Sequence, residues 1–192
     1  MRFFRLALLA LAFALTAPFA HAQFIPSFGV TGGLNFGSLS DAGTADLDQS
    51  TGYHIGVFGD FGFGPLAARA SVLYVQAGDI EGLGDDTSIA FVAVPLDFQY
   101  RLPAPVLKPY ALVGPEARFP VGDLADADAR SVNLAINVGV GAQLAALIGP
   151  KAFAELRYAF DVTGFADDEF FGIPTDDSFK VNVFFLRVGV GL

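Results

Sequence analysis

The chain has 192 residues, 53% of them hydrophobic, and only 16% are charged against roughly 25% in an ordinary soluble domain. A formal net charge of -9 argues against nucleic acid as a partner, because phosphate binding needs a basic surface. With no cysteine and two histidines, a disulfide framework, a lipoprotein anchor and a transition-metal site are all out of reach.

Residues 1–22 have the pattern of a cleaved secretory signal peptide. Arg2 and Arg5 supply a basic start, 6–17 an apolar stretch, and Ala20-His21-Ala22 a small-x-small cleavage site ahead of Gln23. Cleavage there takes the formal charge to -11 by removing the two arginines. Beyond this segment no run of 18 apolar residues is free of polar interruption, so spanning helices are not expected. The nearest candidate, 132–148, holds Asn133, Asn137, Gln143 and two glycines.

Eight stretches then alternate apolar with small or polar residues. The spacing predicts strands at about 27–37, 51–62, 66–77, 88–102, 107–119, 130–145, 150–162 and 179–192. The first two are glycine-rich, which blurs their parity. In the fourth, Val92, Val94, Leu96, Phe98 and Tyr100 share one face, opposite Ala93, Pro95, Asp97, Gln99 and Arg101. The sixth repeats the design, with Val132, Leu134, Ile136, Val138 and Val140 opposed to Asn133, Asn137, Gly139, Gly141 and Gln143. The last reads NVFFLRVGVGL: Phe184, Leu186, Val188, Val190 and Leu192 on one side, Phe185, Arg187, Gly189 and Gly191 on the other.

The connections alternate long and short: 38–50, 63–65, 78–87, 103–106, 120–129, 146–149 and 163–178. Tight turns at one end and longer loops at the other mark an all-β, eight-stranded antiparallel up-and-down transmembrane β-barrel of a Gram-negative outer membrane, with both termini on the periplasmic side. Residues 23–192 are expected to form this single domain. The four long connections carry 15 of the chain's 20 acids, from Asp41 to Asp177, and no lysine or arginine, whereas Lys108 and Lys151 fall at the opposite end. The other acids, Asp60, Asp97, Glu116, Glu155 and Asp161, fall by parity on the non-lipid face with Arg69, Arg101, Arg118, Arg157 and Arg187. That set is neutral overall. Asp60, Arg69, Asp97, Arg101, Glu116, Arg118, Glu155, Arg157 and Arg187 are therefore the expected structural charge network of the lumen, with Arg187, Glu155 and Asp97 at one depth.

A soluble barrel with apolar interior uses the same period with its faces exchanged. The composition disfavours it, as do the few, sign-balanced strand charges beside glycines. Tyr53, Phe61, Tyr100, Phe119 and Phe160, near strand ends, suit interfacial girdles. Closure follows from the solvent, since lipid offers no partner to an unpaired N–H or C=O.

GYHIG at 52–56, FVAVPL at 91–96, KPYALVGP at 108–115, GVGAQ at 139–143 and AELRY at 154–158 resemble, in order, landmarks of the PorT-like outer-membrane β-barrel domain family, architectural relatives of the OmpX and OmpA barrels. The resemblance covers essentially the whole chain after residue 22 and implies an eight-stranded barrel. Phe91 and Leu192 depart from residues such barrels commonly use.

For catalysis, the single histidine left after cleavage, His54, would need a serine two residues on, as in lipid A deacylases, and Gly56 stands there. The loop carboxylates suit calcium or magnesium by ligand type, but no twelve-residue loop has the required spacing. No enzyme activity, cofactor or metal is expected. The reading is a structural or surface-interaction protein with acidic loops, its partners being outer-membrane lipid, the outer-membrane assembly machinery and an unidentified extracellular or envelope component. A monomer is expected. The competing readings are a narrow small-solute channel or carrier, and a surface lipid hydrolase using His54.

Overall fold

The computed structural model describes residues 25–40, 50–79, 88–122, 132–144, 150–163, 169–170, 173–174 and 180–192. The segment 1–22 and nearly all the loop acids lie outside them; of the loop acids only the backbones of Asp79 and Glu169 are described.

Ten strands follow in chain order: β1 (Ile25–Ser40), β2 (Ser50–Phe63), β3 (Leu66–Asp79), β4 (Ser88–Arg101), β5 (Leu107–Val121), β6 (Asn133–Leu144), β7 (Lys151–Asp161), β8 (Glu169–Phe170), β9 (Ile173–Pro174) and β10 (Lys180–Gly191). Eight close into an antiparallel barrel in which every strand pairs with its sequence neighbour and β10 returns to β1. The closing ladder runs from Ser40 opposite Lys180 to Gly29 opposite Gly191. Reciprocal backbone bonds between Phe28 and Leu192, 3.1 and 2.9 Å, extend it to the last residue.

The strand positions agree with the period-2 reading to within a few residues, because alternation is dictated by the pleat. Two details differ. The connection predicted at 163–178 contains the two-residue strands β8 and β9, which pair antiparallel as a separate two-stranded sheet; elements so short leave no periodic signal. The β4–β5 ladder is interrupted between the pairs Pro95–Glu116 and Phe98–Val113. Pro95 borders this gap and Pro115 lies within it, and neither has an N–H to give the ladder.

Burial is inverted relative to a soluble domain. Arg69, Arg118, Arg157 and Arg187 are among the largest fully buried side chains. Val30, Ile55, Val72, Leu96, Val113, Val138, Leu156 and Leu186, one from each barrel strand, are exposed on the outside. An apolar belt of this extent around a soluble monomer would be a liability. Inside, glycine makes room for rings: a Cβ at Gly141 would lie 2.5 Å from Tyr110 Cζ, and one at Gly189 would collide with the Phe153 ring.

Candidate functional site

All the network residues face the lumen, where they form three tiers. The first lies towards the short turns. Arg69 donates from Nε and Nη2 to Asp60 Oδ2 at 3.3 and 3.0 Å. Arg101 Nη2 reaches the same oxygen at 2.5 Å while also donating to Gln99. Asp60 and Arg69 are directly opposite in the β2–β3 ladder, so the register itself brings these charges together.

The middle tier joins strands across the barrel. Arg69 Nη1 and the Tyr110 hydroxyl donate to Glu155 Oε2 at 3.0 and 2.9 Å. Arg157 Nη2 donates to Asp97 Oδ1 at 2.6 Å. Arg187 hydrogen-bonds neutral groups, Thr31 Oγ1 and Ser71 Oγ, each at 2.9 Å. Its Nη1 lies 3.8 Å from Glu155 Oε1 and 4.0 Å from Asp97 Oδ2, too far for hydrogen bonds but close for charges. Arg69 also rests on aromatic faces, with Cζ 3.9 Å from the centroid of Phe153 and 5.2 Å from that of Phe58.

The third tier lies towards the long connections. Glu116 accepts from Arg118 Nε at 2.7 Å and from Asn137 Nδ2 at 3.0 Å. Arg118 Nη1 donates to the Val181 carbonyl at 2.7 Å. Asp161 accepts from Asn133 Nδ2 at 2.7 Å and from the Val181 N–H at 3.0 Å.

Taking a charge out of water costs several kcal/mol unless partners replace it. Each buried carboxylate here has at least one cationic or amide donor. The structure brings together Asp60, Arg69, Asp97, Arg101, Glu155, Arg157 and Arg187, while Glu116 and Arg118 pair with each other and, among the described residues, share no ion pair with that group. Sequence reasoning placed Gln99 and Asn137 on the inward face without joining them to the network, and did not single out Tyr110, Thr31 or Ser71, whose lumen parity is the signal that could have found them. His54 is buried in the same lumen with its ring edge-on to Phe185, centroids 5.2 Å apart. The described residues offer neither ring nitrogen a hydrogen bond, so nothing there couples the imidazole to a nucleophile. Among the described residues no group of three His, Asp or Glu side chains is placed to hold a metal ion.

The model of the outer membrane protein beta-barrel domain family matches residues 6–192. Neisserial surface protein A is similar in structure, with a TM-score of 0.57 at 15% identity, covering 86% of this chain and 96% of that one. Ail, the attachment invasion locus protein of Yersinia pestis, gives 0.47 at 16% identity over 86% and 98%. The N-terminal barrel domain of Pseudomonas aeruginosa OprF gives 0.41 at 15% over 86% and 97%. No curated protein matches the chain. At these identities the likeness to the Neisserial protein bears on fold alone.

Proposed function

This chain belongs to the outer membrane protein beta-barrel domain family, and we propose that within it the protein is a non-enzymatic, PorT-like member with a structural or surface-interaction role. It is exported by a signal peptide cleaved before Gln23, is inserted by the outer-membrane assembly machinery, and stands in lipid as a monomer. Its working surface is the set of acidic long connections, and its partner is an extracellular or envelope component met through them.

The observation behind this reading is the filled lumen. Side chains from every barrel strand meet inside, including Thr31, Asp60, Arg69, Asp97, Tyr110, Asn137, Glu155 and Arg187, and bind one another instead of lining a passage. A barrel of this size has an interior just wide enough for its own side chains. Function then falls to the wall and to the loops, where 15 of 20 acids concentrate.

The test is crosslinking and recovery from the native envelope, comparing wild type with a variant whose loop aspartates are replaced by asparagine. A partner captured by wild type and lost from the neutralised variant is expected. Equal capture by both would remove the acidic loops from the proposal. Recovery of the chain, uncleaved, from the cytoplasm would end it.

A further inference from the structure

At the short-turn end the lumen opens into a cavity of about 500 Å³, lined by Gly64, Pro65, Arg101, Lys108, Gln143 and Lys151 among others. Its charge balance is unlike that of the tiers beyond it. Arg101 is already engaged by Asp60 and Gln99. Lys108 and Lys151 have no carboxylate partner among the described residues. The ladders hold the two on neighbouring sides of the mouth. Lys108 stands opposite Gln143 in β5–β6, and Lys151, two residues before the inward Phe153, stands opposite Gly191 in β7–β10. Between them Gln143 is only 6% exposed, and the described residues give its amide no hydrogen bond. The side chain of Gln143 thus faces the cavity with no protein partner among the described residues, and with the two ammonium groups beside it the mouth offers three donors from neighbouring strands to whatever enters.

The geometry points to a phosphate-binding site in this mouth, with Lys108, Gln143 and Lys151 closing on the anion from β5, β6 and β7. A phosphate group carries only acceptor oxygens, spread tetrahedrally, so it takes single donors arriving from separate strands. Lysine binds it as a point charge without the planar fork that a carboxylate favours. The phosphate is either a phospholipid headgroup at the membrane surface or the free anion.

The experiment uses the barrel refolded in maltoside micelles, which contain no phosphate, with backbone amide shifts read by NMR. Inorganic phosphate is expected to give saturable shifts at Lys108, Gln143 and Lys151. Lys108→Gln with Lys151→Gln should weaken binding roughly tenfold, and Lys108→Arg with Lys151→Arg should largely preserve it. Should the double glutamine variant fail to fold, each single variant, with an expected loss of about threefold, carries the same test. Short-chain phosphatidylglycerol that displaces inorganic phosphate identifies the headgroup as the source; failure to displace it identifies the free anion. Shifts no larger than chloride gives at equal ionic strength, or affinity unchanged in the glutamine variants, would overturn the site.

Discussion

Arg187 and Glu155 stand opposite one another in the β10–β7 ladder, and their charged ends approach to 3.8 Å. The relationship is unequal. Glu155 also accepts from Arg69 and Tyr110, whereas the hydrogen bonds of Arg187 go to two hydroxyls. Arg187 therefore shares with Arg157 the balancing of Glu155 and Asp97, approaching the latter to 4.0 Å while Arg157 lies 3.8 Å from the former and 2.6 Å from the latter.

Arg187→Ala should accordingly cost about 3–5 kcal/mol, the range for removing one partner of a buried ion pair. Combining it with Glu155→Gln should give a loss that differs from the sum of the two single losses, since the charges removed lie 3.8 Å apart in a buried site. The chain has no tryptophan, so urea midpoints are best read from the migration difference between folded and unfolded protein on unheated gels. Strict additivity of the two substitutions would mean that their charges are not coupled.

Much of this site is legible in the sequence because period and chain direction carry it. Alternation assigns Asp97 and Arg187 inward, and a rise of roughly 3.3 Å per residue counted from the short turns puts Arg187 level with Glu155. Which carboxylate each arginine grips is not legible. Arg157, not Arg187, takes the short bond to Asp97, and that depends on side-chain reach across the lumen, which no strand pattern encodes. Hydroxyls such as Ser71 and Tyr110 look unremarkable in sequence; they matter here because closure places them beside a guanidinium or a carboxylate.

The outward face should reject charge in a depth-dependent way. Leu186 and Val138 are exposed on the belt, and Leu186 pairs with Leu156 well within the ladder. Arginine at either position should cost about 2–4 kcal/mol in lipid, against about 0–1 kcal/mol at Leu144, next to a short turn. Folding yields and urea midpoints in vesicles measure this. Equal tolerance at Leu186 and Leu144 would contradict a membrane belt centred on these residues.

The packing around Gly189 yields a third expectation. Because a methyl there would collide with the Phe153 ring, Gly189→Ala should destabilise the barrel by about 1–3 kcal/mol, the usual cost of overpacking. Phe153→Leu should relieve most of that in the double variant, although alone it weakens the aromatic support of Arg69. Gel-monitored unfolding of the four proteins gives the coupling directly, and a Gly189→Ala barrel as stable as wild type would show that the ring has room to move.

Conduction is the property on which the structural and channel readings part. Two barriers lie in series along the lumen. Nearer the short turns, Arg69 is sandwiched against Phe153 and Phe58, whose rings meet edge to face at 5.3 Å. Towards the long connections, Leu73, Val75, Phe91 and Phe185 are buried with at most 1% exposure and make an apolar tier, bordered by His54 edge-on to Phe185 and by Arg118, 5.1 Å from the Phe91 centroid. A hydrated ion would have to shed water at the apolar tier and part ion pairs at the charged one, and both steps are costly. The wild-type barrel in a planar bilayer should therefore show no sustained open steps. Phe153→Ala alone should leave it silent, since the apolar tier remains, whereas Phe153→Ala combined with Phe91→Ala and Phe185→Ala should open both barriers and produce measurable current. Well-defined steps from the wild-type protein would transfer the function from the loops to the lumen.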